Sequence, residues 1–343
     1  MRRIRGSVSG PRRRSLYAAV AAIAFCAAIV CSASGQILDW NTGQVIPGTQ
    51  GITAGPGVDL SGWNTPGHQL EYAFLDDTNL TDASFAGSDL ANAEIYTSNL
   101  TSADLTNANL TSAGFTGSTL TGANFSGSVI QGVDFYQTVG LTADQVYSTA
   151  SYTTGNLTSV NFERVDLDGW NFANQNLSNA GLATGSLTGT NFAGATVAGA
   201  TFISLTSGQL YSTASYAIGN LTGIQLIGDN LTGWNLANQN LTDALLSGTL
   251  TNANLSGATV LGATFNTTLT ASQLYSTASY ASGNLTGISF KDNLTGWNLS
   301  NQNLTNANFQ SLALTNANLS GAVIDGANFS STTSVGFTAA QLY

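Results

Sequence analysis

Ala103-Asp104-Leu105-Thr106-Asn107, Ala108-Asn109-Leu110-Thr111-Ser112 and Ala123-Asn124-Phe125-Ser126-Gly127 spell a single five-residue phrase. The phrase extends in both directions: from Leu60 to Phe135 every fifth residue is Leu, Phe or Ile, apart from Thr65. A helix returns apolar residues at three and four and a flat strand at two, so a beat of five needs another geometry. The small residue two places before each apolar centre, such as Ala103 before Leu105, points to the same side of an extended segment. The next two positions hold Thr or Ser and then Gly, Asn or Ser, which tolerate turns and left-handed backbone. Each pentad therefore reads as a short extended side followed by a corner. Repetition coils the chain around its own apolar residues, with successive coils about 4.8 Å apart.

Length is a poor guide to domain count in a repeat of this kind, even at 343 residues. With 8% charged residues, the Asn-, Thr-, Ser- and Gly-rich composition resembles that of disordered chains. The beat opposes disorder, since burying each Leu or Phe contributes roughly 1.5–3 kcal/mol before ordering costs. The expected core includes Leu80, Phe85, Leu90, Leu100, Leu105, Leu110, Phe125, Leu177, Phe192, Leu236, Leu255, Leu304 and Leu319.

Charge is divided along the chain. Six of the eight basic residues precede Ser15, and every acidic residue follows position 38. The first 36 residues have the layout of a signal peptide: a basic start to Arg14, an apolar run from Leu16 to Cys31, then Ser32-Ala33-Ser34-Gly35. Cleavage would leave Arg164 and Lys291 against eighteen acidic residues, a net charge of −16. Nucleic acid is then not an expected partner. No membrane span is expected in the mature chain, and the expected location is the periplasm, the cell surface or outside the cell. Cys26 and Cys31 both lie in the leader, leaving no disulfide, thiol nucleophile or thiolate ligand after it.

A longer period overlies the short one. Gln145-Val146-Tyr147-Ser148-Thr149-Ala150-Ser151-Tyr152 returns 64 residues later at Gln209–Tyr216 and again at Gln273–Tyr280, with Leu for Val, and starts once more at Gln341. Thr142, Thr206, Thr270 and Thr338 each stand three residues before the Gln, which is capping-box spacing and predicts a helix of about two turns. The chain thus divides into a cap (37–59), block 1 (60–135), a helical insertion (136–156), block 2 (157–202), an insertion (203–220), block 3 (221–265), an insertion (266–284), block 4 (285–337) and the start of another insertion (338–343). Because the sequence stops inside its fourth long phrase, it reads as a fragment. Blocks 3 and 4 slip by one residue near Leu241–Leu250 and Phe290–Leu294, which bulges at corners would absorb.

Each later block places Trp170, Trp234 or Trp297 in a slot cut for Ala, with Gln175, Gln239 or Gln302 in the same slot one pentad on; Trp63 is in register with them. A ring there needs local widening, so packing towards the capped helix is expected. The aromatic residues of the interruptions form the candidate interaction surface: Tyr147, Tyr152, Trp170, Tyr211, Tyr216, Trp234, Tyr275, Tyr280 and Trp297. Stacking on sugars is the sharper reading of the tryptophans and core packing the plainer one.

Residues suited to catalysis are scarce. His68, the single histidine, falls in an inward slot near the cap and suits packing. Asp76-Asp77 and Asp166-Leu167-Asp168-Gly169 match no calcium loop and read as solvated corners. No cofactor or metal site is expected. Asn-Leu-Thr at Asn99, Asn109, Asn220 and Asn240 spells a glycosylation acceptor, a spelling that the pentad itself generates. Outward Thr101, Thr106, Thr111, Thr116 and Thr121 should stack into hydroxyl rows, suited to ice or polysaccharide or simply to solubility.

Ala-Asp/Asn-Leu/Phe-Thr/Ser-Gly/Asn over most of residues 60 to 335 resembles the pentapeptide-repeat family. The resemblance implies an all-β, right-handed quadrilateral β-helix with four pentads per coil, here carrying short helical insertions. Some members of that family resemble duplex DNA in shape and charge and bind DNA gyrase; the acidic balance is compatible with such mimicry, whereas an export signal is not. The expected function is an exported, non-enzymatic structural or surface-interaction element, whose partner is a protein or a surface polysaccharide, with end-to-end or edge self-association. The alternative is an extracellular protein that binds a defined glycan, ice or protein ligand.

Overall fold

The computed structural model describes residues 36–341 apart from 61–63, 66–67, 292 and 333–335. The leader and Trp63 lie outside the described residues, as does the side chain of His68. The pentad of Leu105 shows how the fold is generated. Ala108 N donates to Leu105 O at 3.1 Å, closing a turn whose third residue, Asn107, has φ 56°. A positive φ at that position is the mark of a type II turn and selects Asn or Gly. The next corner uses Ser112 (φ 59°) and later ones Gly117, Gly122 and Gly127.

Extended residues between corners pair with the coils before and after. Leu105 N donates to Asn124 O at 2.8 Å, and Asn124 N to Ala103 O at 2.9 Å. Parallel bridges such as Asn79↔Asn99↔Thr119 and Asp104↔Asn124 advance twenty residues at a time, so each coil holds four pentads. The outward residue before each apolar centre secures the following turn. Asn99 Oδ1 accepts from both the amide and the hydroxyl of Thr101, at 3.0 and 2.6 Å, and Asp104 and Asn109 treat Thr106 and Thr111 in the same way. Asn-Leu-Thr therefore recurs because it builds a corner.

Every core residue named from the sequence, from Leu80 to Leu319, is at most 1% exposed. The inward column includes rings stacked coil upon coil: Phe115 on Phe135 at 5.8 Å between centroids, and Phe135 on Phe162 at 5.7 Å. At the amino end, β1 (Leu38–Asp39) pairs antiparallel with β4 (Ala73–Phe74), and Ile37 and Ile46 are buried. β2 (Asn64–Thr65) pairs antiparallel with β3 (His68–Gln69).

The strands β5 (Gly181–Leu182), β6 (Thr201–Phe202), β7 (Gln225–Asn230), β8 (Leu245–Thr249), β9 (Thr264–Phe265) and β10 (Ser289–Phe290) form one parallel ladder. The first one-residue slip is absorbed here: Ile227 pairs with Ser247, twenty residues on, but Asn230 pairs with Thr249, nineteen on. The irregularity falls at a corner, as expected: Gly228, between Ile227 and Asn230, has φ 73°. Gly248 permits it, because a Cβ there would meet Asp229 O at 1.9 Å.

Candidate functional site

The three complete interruptions share one construction. The first is not a single helix of two turns but two helices of about one turn, α1 (Ala143–Tyr147) and α2 (Ala150–Thr153). Thr149 makes the break, since its Oγ1 accepts from Tyr152 N at 3.1 Å and so caps a second start. The others are α3 (Ser207–Tyr211) with α4 (Ala214–Ala217), and α5 (Ala271–Tyr275) with α6 (Ala278–Ala281). Capping boxes join Thr142 to Gln145, Thr206 to Gln209 and Thr270 to Gln273.

Each helix pair interrupts the main-chain ladder, and side chains take over the lost positions. Ala103 O accepts from Asn124 N one coil on, but Ala123 O accepts from Gln145 Nε2 at 2.7 Å, and Leu120 O is a second acceptor of the same amide at 2.8 Å. Gln209 donates to Leu187 O and Thr190 O, and Gln273 to Leu250 O and Ala253 O. Ile130 N, Val197 N and Val260 N donate to Ser151, Ser215 and Ser279 Oγ at 2.8–2.9 Å.

On the other side of the helix pair, two tyrosines complete the ladder. Asn171, the residue after Trp170, donates its amide to Tyr147 Oη, while Tyr152 Oη donates to Asn171 O at 2.7 Å. Tyr211 and Tyr216 hold Asn235 in the same way, and Tyr275 and Tyr280 hold Asn298. The rings of each pair lie 4.5 Å apart. Burial, and then the neighbouring tyrosine, push the Tyr152, Tyr216 and Tyr280 hydroxyls up from their ordinary value, which keeps them as donors.

Within the candidate surface, the six tyrosines remain half-buried and partly accessible. Trp170, Trp234 and Trp297 do not belong to that surface: they are 5–8% exposed and pack edge-on to Tyr147, Tyr211 and Tyr275 at 6.3–6.4 Å. A ring so enclosed cannot stack on a sugar, so the plainer packing role is the one the structure supports. Gln175, Gln239 and Gln302 sit beside them, 6% exposed, reaching the carbonyls of Tyr152, Tyr216 and Tyr280 at 3.2–3.3 Å.

The outward threonines are less available than rows of free hydroxyls. Thr101, Thr106 and Thr111 donate to their own corners and Thr116 donates to Asp134. Asp76 is not a solvated corner residue: it is half-buried, accepts from Tyr96 N at 2.8 Å, and burial pushes its carboxyl up to about 6. Asp166 and Asp168 are exposed, as expected. Glu94, 5% exposed, is pushed up to about 7 by burial and then by Asp76. The Tyr96 ring lies over Gly114, where a Cβ would approach Tyr96 Cε1 to 2.1 Å, and its hydroxyl is near Glu94 and Asp76. Among the described residues, no group of three or more His, Cys, Asp or Glu is placed to hold a metal ion, and no helix is long and apolar enough to cross a membrane.

Sequence reasoning missed the second role of Gln145 and its counterparts, the serines that replace main-chain acceptors, and the burial of Glu94. Pentad counting would have flagged Asp229, which stands two residues before Leu231 in a small inward slot.

The pentapeptide-repeat family model, in eight copies, matches residues 69–101, 98–137, 156–194 and 293–330. Among solved structures, HetL, a pentapeptide repeat protein involved in heterocyst differentiation regulation from the cyanobacterium Nostoc sp. strain PCC 7120, is 20% identical over 80% of this chain and 83% of its own, with a TM-score of 0.20. QnrB1, a plasmid-mediated fluoroquinolone resistance protein, in a trypsin-treated variant form, is 16% identical over 80% of this chain and 90% of its own, again at 0.20. Rfr23 from the cyanobacterium Cyanothece 51142 is 22% identical over 28% of this chain and 87% of its own, at 0.17. Likeness at this level does not bear on function. No curated protein matches the chain. The stretches matched in blocks 1, 2 and 4, which build the twenty-residue coil, are pentapeptide repeats.

Proposed function

We propose that the chain is an exported, non-enzymatic, right-handed quadrilateral β-helix that acts as a structural or surface-interaction element, presenting its tyrosine pairs to a partner outside the cytoplasm. The observation that carries this reading is their even spacing. Bridges run Asn156↔Asn176↔Thr196, Asn220↔Asn240↔Thr259 and Asn284↔Asn303↔Val323, so each 64-residue unit is three coils deep. At about 4.8 Å per coil, successive tyrosine pairs stand about 14 Å apart. A surface with a fixed repeat suits a partner with a repeat of its own, such as a cell-wall polysaccharide or a protein array.

Mimicry of DNA receives less support. It would need ordered outward carboxylates, whereas Asn occupies the outward slot at 79, 99, 109 and 124, and the burial of Glu94 favours its neutral form. Cell fractionation of the full chain, followed by sedimentation with purified cell-wall polysaccharide, tests the proposal. We expect a processed chain outside the cytoplasm that sediments with the wall fraction. An unprocessed chain confined to the cytoplasm would sink it.

A further inference from the structure

Val165, two residues before Leu167, is a buried apolar residue in block 2; 64 residues later the same slot holds Asp229, which is 3% exposed. Neither carboxylate oxygen has a hydrogen-bond partner of ordinary geometry among the described residues. Burial raises the carboxyl to about 6, while the nearby amides of Ser204 and Leu205 pull the other way. At neutral pH the group is therefore mainly an anion, enclosed and without a counter-charge. Such a group costs several kcal/mol unless something pairs with it. The slot is not sealed: Asp229 lines a surface pocket of about 420 Å³ with Ser204, Thr206, Ser207, Asn230 and Trp234.

We propose that this pocket binds the ammonium group of a small amine, with Asp229 as counter-ion and Trp234 as an aromatic wall. A divalent ion fits poorly. Calcium needs six to eight oxygens, and only one carboxylate lines the pocket. Thr206 Oγ1 is occupied by Gln209, and Asn230 Oδ1 by Thr232 N. A single ammonium matches the single charge and can donate to the Asp229 oxygens and to the hydroxyls of Ser204 and Ser207. The inference rests on this pocket and is independent of export.

Calorimetry and tryptophan fluorescence on the full chain test it, with glucosamine against glucose and n-butylamine against n-butanol as probes. Saturable one-to-one binding of the amines, with the neutral partners at least about tenfold weaker, is expected. Tighter glucosamine identifies an amino sugar, tighter butylamine an alkylamine of the lysine type, and equal affinity shows that the ammonium alone is read. Asp229→Val copies Val165 and should fold and melt above the parent at neutral pH, since it removes a buried unpaired charge, yet lose binding; Asp229→Asn, of nearly unchanged shape, should lose binding too. Equal binding of glucose and glucosamine, binding that survives both substitutions, saturation by calcium in place of amines, or no saturable binding of either amine would each overturn the proposal.

Discussion

Block 1 and the helical interruptions solve the same problem with different atoms. In block 1, main chain pairs with main chain: Asn99 N with Thr78 O, Leu100 N with Thr119 O, and so on coil after coil. At an interruption the neighbouring coils remain but the strand between them is replaced by a helix pair, so Gln145, Ser151, Tyr147 and Tyr152 supply the missing donors and acceptors. The difference shows why the pentads tolerate drift in their outward residues while the long phrase repeats almost letter for letter. A pentad needs an apolar centre, a small inward neighbour and a residue that accepts positive φ. An interruption needs four particular polar side chains at particular reach.

The largest expected effect lies in block 1. Leu105→Ala removes a fully buried centre and should cost about 2–5 kcal/mol, read as a lowered urea midpoint by circular dichroism. An unchanged midpoint would refute a core built from every fifth residue. At the interruptions, Gln209→Ala removes half of a capping box and leaves Leu187 O and Thr190 O without the side-chain amide. Cap loss of about 0.5–2 kcal/mol and unsatisfied carbonyls at about 1–3 kcal/mol place the total near 2–4 kcal/mol. Amide exchange should accelerate over 206–218 and stay slow over 90–130. Gln209→Glu sharpens the comparison, because it keeps the capping acceptor while setting a carboxylate oxygen against Leu187 O and Thr190 O in place of the donor. Equal losses in the two variants would mean that the bonds to the neighbouring coil carry most of the effect.

Much of this is legible in the sequence. Leu105 and its fellows can be placed because a strict period leaves a side chain little choice of face, and Thr142 with Gln145 can be read as a capping box because both partners are local. Bonds across coils are not legible. That Gln145 also reaches Leu120 O and Ala123 O depends on which coil lies beneath it. The tryptophans suit both a surface and a packing role on the sequence because period gives the side of the strand and not the depth of the coil. Thr149 conceals a second helix start inside one apparent helix, since the phrase carries one capping box and one single-sided cap. Asp76 reads as solvated because its partner, the amide of Tyr96, lies one coil on, twenty residues away.

That buried acid separates the two regions by pH as well. Glu94 rises from 4.5 to about 7 and Asp76 from 3.8 to about 6, in both cases chiefly through burial; Asp77 and Asp134 are the other carboxylates around Asp76 and Tyr96. A raised carboxyl binds its proton more tightly in the folded chain than in the unfolded one. Stability therefore falls as pH rises across the window from about 4 to about 7, the reverse of the usual carboxylate behaviour. The melting temperature should be higher near pH 4.5 than near pH 7.5. Glu94→Gln should flatten the upper part of the decline and, after allowance for solvent screening, exceed the parent at pH 8 by on the order of 1–2 kcal/mol. Asp229 contributes a similar decline from block 3, its carboxyl standing at about 6. Exchange measured by segment distinguishes the sources: Glu94→Gln should stabilise 70–135 at pH 8 and leave 221–265 unchanged. A melting temperature that climbs steadily from pH 4.5 to 7.5 would show that Glu94 is ionised throughout that range in the folded coil, and that burial does not hold its proton.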